Sequence, residues 1–204
     1  MAELRILSGK YKGTKLASPN LTTTHPMGSR EKLALFNMLS PYLNGATVLD
    51  YFAGSGALGL EALSRGAARV DFVESSPKAQ KVIKENIKLV SGCFQNNKGI
   101  FPREITNTHG LECATVRAES PTGRCDFEGR KIPRSGNTPS ELYDIIISDP
   151  PYDNYQVPDY TSLLKKGGVL ALSHPRDFNP QNITGLTLLK TNHYAACHIS
   201  LFTK

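Results

Sequence analysis

Residues 48–59 have the sequence VLDYFAGSGALG, in which a near-continuous apolar run leads into three closely spaced glycines. The run is typical of a buried β-strand, and the glycines allow the sharp turn that joins such a strand to a helix. A helix is predicted next over Leu58–Arg65, ending at Gly66. A second strand over Arg69–Glu74 and a second helix over Pro77–Val90 follow. This alternation of strands and helices predicts an α/β fold with a parallel sheet.

Shorter patterns extend this core toward both ends of the chain. Two short strands at residues 4–7 and 14–16, joined by a glycine-containing turn, predict an N-terminal β-hairpin. A helix is predicted to begin with Ser29 as its N-cap and to continue to Leu43 through apolar residues at helical spacing. The remaining predicted elements are long loops at 91–111 and 120–141, strands at 113–119, 143–148, 169–173, 186–190 and 195–202, and a short helix near 159–165.

The composition limits the class of protein. With 204 residues, of which 39% are hydrophobic, the chain is expected to form one domain with a small appendage. It lacks the run of roughly 18 apolar residues that a membrane span needs, and its N-terminus lacks a secretory signal. We therefore expect a cytoplasmic protein that makes no membrane contact. The four cysteines contain no C-x-x-C pair, so neither a disulfide nor a metal site is predicted.

The net charge of +6 is concentrated near the N-terminus, where residues 1–32 contain six basic and two acidic residues. Such a segment can lie against the phosphates of a nucleic acid. A solvated basic edge explains the charge equally well, and charge alone does not separate the two interpretations. The candidate phosphate-binding residues are Arg5, Lys10, Lys12, Lys15 and Arg30.

The glycine-rich turn is the first of two motifs that indicate chemistry. Its glycines let a ligand approach the backbone closely, next to the N-terminus of a helix. Glu74 ends the second predicted strand, twenty residues after Gly54, where a carboxylate can accept hydrogen bonds from both hydroxyls of a ribose. Together these features predict a ligand that contains adenosine, bound across the ends of the strands.

The same turn also fits the dinucleotide fingerprint G-x-G-x-x-G through Gly54, Gly56 and Gly59. A nicotinamide cofactor is therefore an alternative to S-adenosylmethionine. Asp50 favours S-adenosylmethionine, because an acidic residue at the end of the first strand can bind the ammonium group of the methionine part. The same carboxylate would repel a pyrophosphate placed near the turn.

The second motif is Asp149-Pro150-Pro151-Tyr152, which directly follows the predicted strand over 143–148. The Asp149 carboxylate and the Pro150 carbonyl can accept hydrogen bonds from the two N–H groups of a base amine. These contacts would orient its nitrogen for attack on a methyl group. The consecutive prolines hold the backbone rigid, and Tyr152 offers a flat surface for an unstacked base. A rigid turn without function is the structural alternative.

These motifs lie within segments that resemble the bacterial RsmD family, which methylates N2 of one guanine in small-subunit (16S) ribosomal RNA. The resemblance is carried by VLDYFAGSGALGLEALSRGA at 48–67, RILSG at 5–9, KGTKL at 12–16 and ALFNML at 34–39. It covers residues 4–90 and 143–152 closely and the remainder loosely. The resemblance implies a class I S-adenosylmethionine-dependent methyltransferase: a Rossmann-like, seven-stranded and mostly parallel sheet with an N-terminal β-hairpin that helps to grip RNA.

By this resemblance, residues 1–20 form an RNA-binding hairpin extension and residues 21–204 form the methyltransferase domain. The substrate is then small-subunit ribosomal RNA or an assembled small ribosomal subunit, and the protein is expected to be a monomer. The predicted catalytic residues are Asp149, Pro150, Pro151 and Tyr152. The predicted cofactor-binding residues are Asp50, Phe52, Ala53, Gly54, Ser55, Gly56, Glu74, Ser75 and Glu119.

Two other functions stay open from the sequence. An adenine-N6 methyltransferase acting on DNA or RNA would use the same acidic-proline loop, although the chain is small for a target-recognition domain. A nicotinamide-dependent oxidoreductase would use the G-x-G-x-x-G pattern, but it leaves Asp149-Pro150-Pro151-Tyr152 without a role.

Overall fold

The structure is a computed structural model that describes residues 4–19, 27–92, 106–108, 111–117, 142–152 and 157–204. Its helices are α1 (Ser29–Leu43), α2 (Ala57–Ser64) and α3 (Pro77–Gly92), with a single 3₁₀ turn at Pro180–Asn182. Its strands are β1 (Thr47–Tyr51), β2 (Arg69–Glu74), β3 (Thr106–Thr108), β4 (Leu111–Arg117), β5 (Tyr143–Ser148), β6 (Leu164–His174), β7 (Thr187–His193) and β8 (His198–Thr203).

The described strands form one mixed sheet in the order β3-β4-β2-β1-β5-β6-β8-β7. The α/β class is confirmed, and β2, β1, β5 and β6 are parallel neighbours at its centre. The prediction of seven mostly parallel strands is wrong for the described part, which has eight strands with three parallel and four antiparallel pairings. The connections from β3 to β4 and from β7 to β8 are too short for a crossover, so those pairs must be antiparallel.

Alternate residues of the central strands face two separate cores. On one face, Val48, Phe72 and Ile145 pack with all three described helices and with the N-terminal segment. On the other face, Leu49, Ile146 and neighbouring apolar residues pack against the segments around 157–163 and 178–188. Burial on both faces explains why these strands are near-continuous apolar runs rather than alternating ones.

The N-terminal segment, residues 4–17, folds back on itself but forms one isolated antiparallel bridge, between Arg5 and Lys15, instead of two regular strands. Its apolar side chains Ile6, Tyr11 and Leu16 are buried in the main core. The backbone of Lys10 donates a hydrogen bond of 2.7 Å to the carbonyl oxygen of Ser64 in α2. This segment is therefore attached to the helices through both its apolar side chains and its backbone.

Two further predictions are corrected. No helix forms near 159–165: the Asp159 side chain accepts from the backbone of Thr161, closing a single turn, and Leu164 already pairs with Tyr143 in the sheet. Strand pairing of the buried Leu164 therefore outweighs the weak helical pattern. The N-cap of α1 is Gly28, and Ser29 is the first helical residue.

Within the described residues, no helix combines the length and the apolar character that crossing a bilayer demands. The same residues contain no group of three or more His, Cys, Asp or Glu side chains placed to hold a metal ion. Cys197 is a buried free thiol, and the side chains of the other three cysteines lie outside the described part.

Candidate active site

The carboxyl ends of three parallel strands bring the two sequence motifs together. β1 lies between β2 and β5, with Asp50 opposite Phe72 on one side and Ile147 on the other. Glu74 ends β2, and Asp149 immediately follows β5. The chain order reverses here, since β2 lies on one side of β1 and β5 on the other. Crevices of this kind are where open α/β sheets bind ligands.

The glycine-rich turn is held in a conformation that few side chains tolerate. Phe52 has a φ of 68°, which is rare for a non-glycine residue and marks local strain. Gly54 and Gly56 also have positive φ values, of 55° and 76°. The turn is fastened to β2 by a 2.9 Å hydrogen bond from the Ala53 amide to the Val73 carbonyl. Its geometry is thus imposed by the neighbouring strand.

The glycines of this turn have different roles. A Cβ at Gly59 would overlap the ring of Phe72, so this position has no side chain because α2 packs directly on β2. A Cβ at Gly54 would meet nothing within 4 Å and would project into open space. Gly54 therefore leaves room for a ligand beside the backbone, whereas Gly59 serves the packing of helix on strand.

Asp50 is a buried carboxylate with one oxygen in use and one without a partner. Its Oδ2 accepts a 2.8 Å hydrogen bond from the amide of Gly59, and its Oδ1 is buried with no partner among the described residues. Burial, together with the charges of Asp149 and Glu74, raises the pKa of Asp50 to about 8. Near neutral pH the side chain is therefore largely protonated, and a cationic group placed beside the unpartnered Oδ1 would favour its ionised form.

Glu74 connects the end of β2 to the glycine turn. Its Oε2 accepts a 2.7 Å hydrogen bond from the amide of Gly54, and its Oε1 accepts one of 2.8 Å from the amide of Ser76. Each carboxylate oxygen has a further lone pair, so Glu74 can still accept hydrogen bonds from two hydroxyls. Ser75 is exposed beside it, and Ser55 is buried, its carbonyl bound by the Asn86 side chain.

The acidic-proline loop follows β5 with its backbone partly enclosed. Pro150 is buried, Pro151 is exposed and Asp149 is partly buried. Burial raises the pKa of Asp149 to about 6, while a hydrogen bond with the Ser173 side chain lowers it. Near neutral pH Asp149 is therefore mostly ionised and can act as an acceptor.

Tyr152 is anchored by its hydroxyl, which shares a short hydrogen bond with the Ser173 hydroxyl. Burial raises the pKa of this phenol above its ordinary value, so it stays protonated. The ring of Tyr152 is partly buried against the main core. The side chain is consequently held by one end, and its ring position is determined by β6.

Sequence reasoning missed two residues of this cluster. Ser173, near the end of β6, is 2% exposed and interacts with both Asp149 and Tyr152. Cys197 is buried nearby and interacts with Ser173 and Tyr152. The signal for Ser173 was its place at the end of a strand adjacent to β5. No local pattern indicated Cys197, because it comes from the turn between β7 and β8.

A cleft of about 310 Å³ lies at the opposite ends of the central strands, near Tyr42 and Lys166, away from the glycine-rich turn and the acidic-proline loop. A second cleft of about 300 Å³ lies beside the acidic-proline loop. Its lining residues are Tyr152, Pro175, Asp177 and Phe178. The second cleft is the one adjacent to the predicted catalytic residues.

All of the basic residues predicted to bind phosphate are exposed to solvent. They are Arg5, Lys10, Lys12, Lys15 and Arg30. Lys32 differs, because it is 3% exposed and its Nζ donates a 2.7 Å hydrogen bond to the Arg5 carbonyl. It also lies 3.6 Å from the buried carboxylate of Glu61. Of the six N-terminal cations, Lys32 is therefore part of the packed interior and is not available to bind phosphate. Glu119, predicted near the adenine, lies outside the described residues.

Comparisons with known proteins give consistent sequence matches. A family model described as "Conserved hypothetical protein 95" matches residues 4–113. The chain is 33% identical over 150 residues to ribosomal RNA small subunit methyltransferase D of Haemophilus influenzae, covering 74% of this chain and 64% of that protein. It is 32% identical over 164 residues to the protein of the same name from Buchnera aphidicola, covering 80% and 71%.

Among solved structures, the fold is similar to an Escherichia coli chain named "Putative methyltransferase yhhF". The TM-score is 0.68 at 21% identity, and the match covers 100% of this chain and 98% of the other. At that identity the likeness concerns the fold alone.

Proposed function

The chain belongs to the RsmD family of methyltransferases, and from that premise we propose that it methylates the N2 amine of a guanine in small-subunit ribosomal RNA. The proposed methyl donor is S-adenosylmethionine. The observation that supports this best is the meeting of two motifs at one sheet edge: the turn around Gly54 and the loop Asp149–Tyr152. The family membership decides against the nicotinamide-dependent oxidoreductase.

The residues of the glycine turn fit S-adenosylmethionine. The unpartnered Oδ1 of Asp50 is suited to the ammonium of the methionine part, and the open side of Gly54 leaves room for the adenosyl part. Glu74 retains lone pairs for the two ribose hydroxyls. When bound, S-adenosylmethionine supplies an electrophilic methyl carbon attached to a positively charged sulfur.

The acidic-proline loop would prepare the amine for attack. A base amino group is a weak nucleophile because its lone pair is delocalised into the ring. Asp149 and the carbonyl of Pro150 would each accept a hydrogen bond from one N–H of the amine. These contacts would hold the nitrogen in line with the methyl carbon. The nitrogen held by Asp149 and Pro150 would take the methyl group that the bound donor supplies, and the donor would leave as S-adenosylhomocysteine. The surplus amine proton passes to the ionised Asp149 or to water.

The exposed cations of the N-terminal segment would hold the RNA backbone near this site. We propose Arg5, Lys10, Lys12, Lys15 and Arg30 as phosphate contacts within a hairpin extension of residues 1–20, with 21–204 as the methyltransferase domain. Free ribosomal RNA and an assembled small subunit are both candidate substrates. A monomeric state and a cytoplasmic location stay predictions from the sequence.

Transfer of a labelled methyl group tests this function. The purified protein is incubated with small-subunit ribosomal RNA, with assembled small subunits and with DNA in the presence of a radioactive methyl donor. The nucleic acids are then digested to nucleosides and separated. We expect N2-methylguanosine from an RNA substrate, whereas N6-methyladenosine would contradict the guanine assignment in favour of adenine.

Ligand titration tests the cofactor separately. We expect S-adenosylhomocysteine to bind with a micromolar dissociation constant, which corresponds to about −8 kcal/mol. NAD should not bind under the same conditions. Binding of NAD in place of S-adenosylhomocysteine would contradict the assignment of the glycine turn.

A further inference from the structure

The cleft beside the acidic-proline loop has two aromatic residues and one carboxylate in its lining. Tyr152 and Phe178 contribute the rings, Pro175 a rigid backbone and Asp177 the charge. Its volume of about 300 Å³ is at the lower end of the range for small-molecule sites, which suits one base. Because Tyr152 belongs to both the cleft and the loop, a base in this cleft lies next to the predicted catalytic residues.

The wall formed by residues 175–178 is held in place by its own hydrogen bonds. The Phe178 amide donates to the Pro175 carbonyl at 3.3 Å, closing a turn directly after β6. The same carbonyl lies 2.9 Å from Nδ1 of the buried His174, whose ring packs on that of Phe178 at a centroid distance of 5.0 Å. Asp177 therefore sits at the tip of an ordered turn.

Asp177 makes no hydrogen bond or ion pair with the described residues. The guanidinium of the neighbouring Arg176 is directed to the carbonyls of Tyr194 and Ala195 and forms no ion pair with Asp177. An exposed carboxylate repels the phosphates of RNA, so it is poorly suited to a backbone contact. A carboxylate that faces nucleic acid is suited instead to the hydrogen-bond donors on a base edge.

We propose that Asp177 accepts a hydrogen bond from N1–H of the target guanine and so discriminates guanine from adenine. In guanine, N1–H is adjacent to the N2 amine that receives the methyl group. In adenine, N1 is adjacent to the N6 amine and is an acceptor, which a carboxylate repels. This proposal rests on the proposed function and adds to it the residue that selects the base.

A base analogue removes the donor of this contact. 2,6-Diaminopurine carries the same N2 amine as guanine, but its N1 is an acceptor and an amine replaces the carbonyl at C6. Variants of Asp177 separate the change at N1 from the change at C6. Once the methylated nucleotide has been mapped, the RNA is made with guanine or with 2,6-diaminopurine at that position, and kcat/KM is measured for both. We expect the wild-type protein to prefer guanine by about tenfold or more, the discrimination typical of one base-edge contact.

Two variants of Asp177 and one control complete the experiment. Asp177→Ala should reduce the preference to within about threefold, since it removes both the attraction and the repulsion. Asp177→Asn should shift the preference toward 2,6-diaminopurine, because an amide can donate to its N1. Glu85→Ala removes another exposed carboxylate, from α3, and should leave the preference unchanged.

The outcomes separate this proposal from the proposed function. If the wild type methylates guanine and both Asp177 variants keep its preference, the role of Asp177 is wrong and the proposed function stands. An equal loss of activity on both bases also overturns discrimination by Asp177. If the wild type does not methylate guanine at all, the proposed function itself is wrong, and this proposal falls with it.

Discussion

The N-terminal segment and the carboxyl edge of the sheet place their charges in opposite ways. In residues 4–17 the backbone is held by buried polar groups, while the cations Lys10, Lys12 and Lys15 are exposed residues. At the carboxyl edge Asp50 is buried and Asp149 is partly buried, and burial raises the pKa values of the two carboxyl groups to about 8 and about 6.

This difference corresponds to two uses of charge. Exposed cations keep their hydration and attract phosphate over a distance, an effect that salt screens. Buried carboxyl groups have lost part of their hydration. A ligand that pairs with them therefore gains more electrostatic binding free energy than it would from a solvated group. The first arrangement is suited to gathering RNA, and the second to positioning the reacting atoms.

The largest effect is expected from Asp149. Asp149→Ala removes one of two proposed acceptors for the amine and should lower the rate of methyl transfer by about 100- to 1000-fold. Affinity for S-adenosylhomocysteine, measured by titration calorimetry, should change little. Transfer at the wild-type rate would show that Asp149 does not act on the amine.

The next effect should appear in stability, where the N-terminal segment meets α2. Glu61 is fully buried and accepts hydrogen bonds from the Leu7 amide and from Arg65, with Lys32 at 3.6 Å. Glu61→Gln leaves buried Lys32 without its carboxylate, so the free energy of unfolding in urea should fall by about 3 kcal/mol.

The exposed residue Glu85 supplies the control for this measurement. Glu85→Gln should change the free energy of unfolding by less than about 0.5 kcal/mol. An equally small change for Glu61→Gln would mean that the buried ion cluster does not hold the N-terminal segment.

A moderate effect is expected from Ser173, through the pH dependence of the reaction. Asp149 must be ionised to accept from the amine, so kcat/KM should rise with pH through about 6. Ser173→Ala removes a hydrogen bond that lowers the pKa of Asp149, so the midpoint should move to higher pH. At pH 7 the rate should fall by about tenfold, partly because Tyr152 loses its anchor.

Ser200 offers a matched control for Ser173. It is a fully buried serine on the adjacent strand β8 whose hydroxyl interacts with His174 and Thr191 instead of the loop. Ser200→Ala should leave the pH midpoint of methyl transfer unchanged. A midpoint that stays constant in Ser173→Ala as well would remove Ser173 from the site.

The smallest effect per residue is expected from the exposed lysines. Replacing Lys10, Lys12 and Lys15 by Gln should reduce the slope of log K for RNA binding against log salt by about 0.7 to 0.9 for each lysine that binds a phosphate in the wild type. The same change at Lys78, Lys81 and Lys84 on the outer side of α3 is the control. Equal slopes for the two triple variants would favour a solvated basic edge over an RNA-binding segment.

The errors of prediction have a common cause. The helix expected near 159–165 rested on a short local pattern, which pairing of Leu164 with Tyr143 overrides. Lys32 was counted among the N-terminal cations that make up the basic charge, yet it is buried because its Nζ reaches both the Arg5 carbonyl and the Glu61 carboxylate of α2. In both cases the environment of the residue is set by partners that are far away in the chain.

The sequence by itself determined the strand–turn–helix around Gly54 and the position of Asp149 after β5. Residues that end neighbouring parallel strands necessarily meet at one edge, so local patterns were sufficient for both motifs. Only the tertiary structure decided that Ser173 anchors Tyr152, that Asp50 has one unpartnered oxygen, and that Asp177 faces the cleft. Burial and hydrogen bonding depend on contacts between segments distant in the chain, which no local pattern encodes.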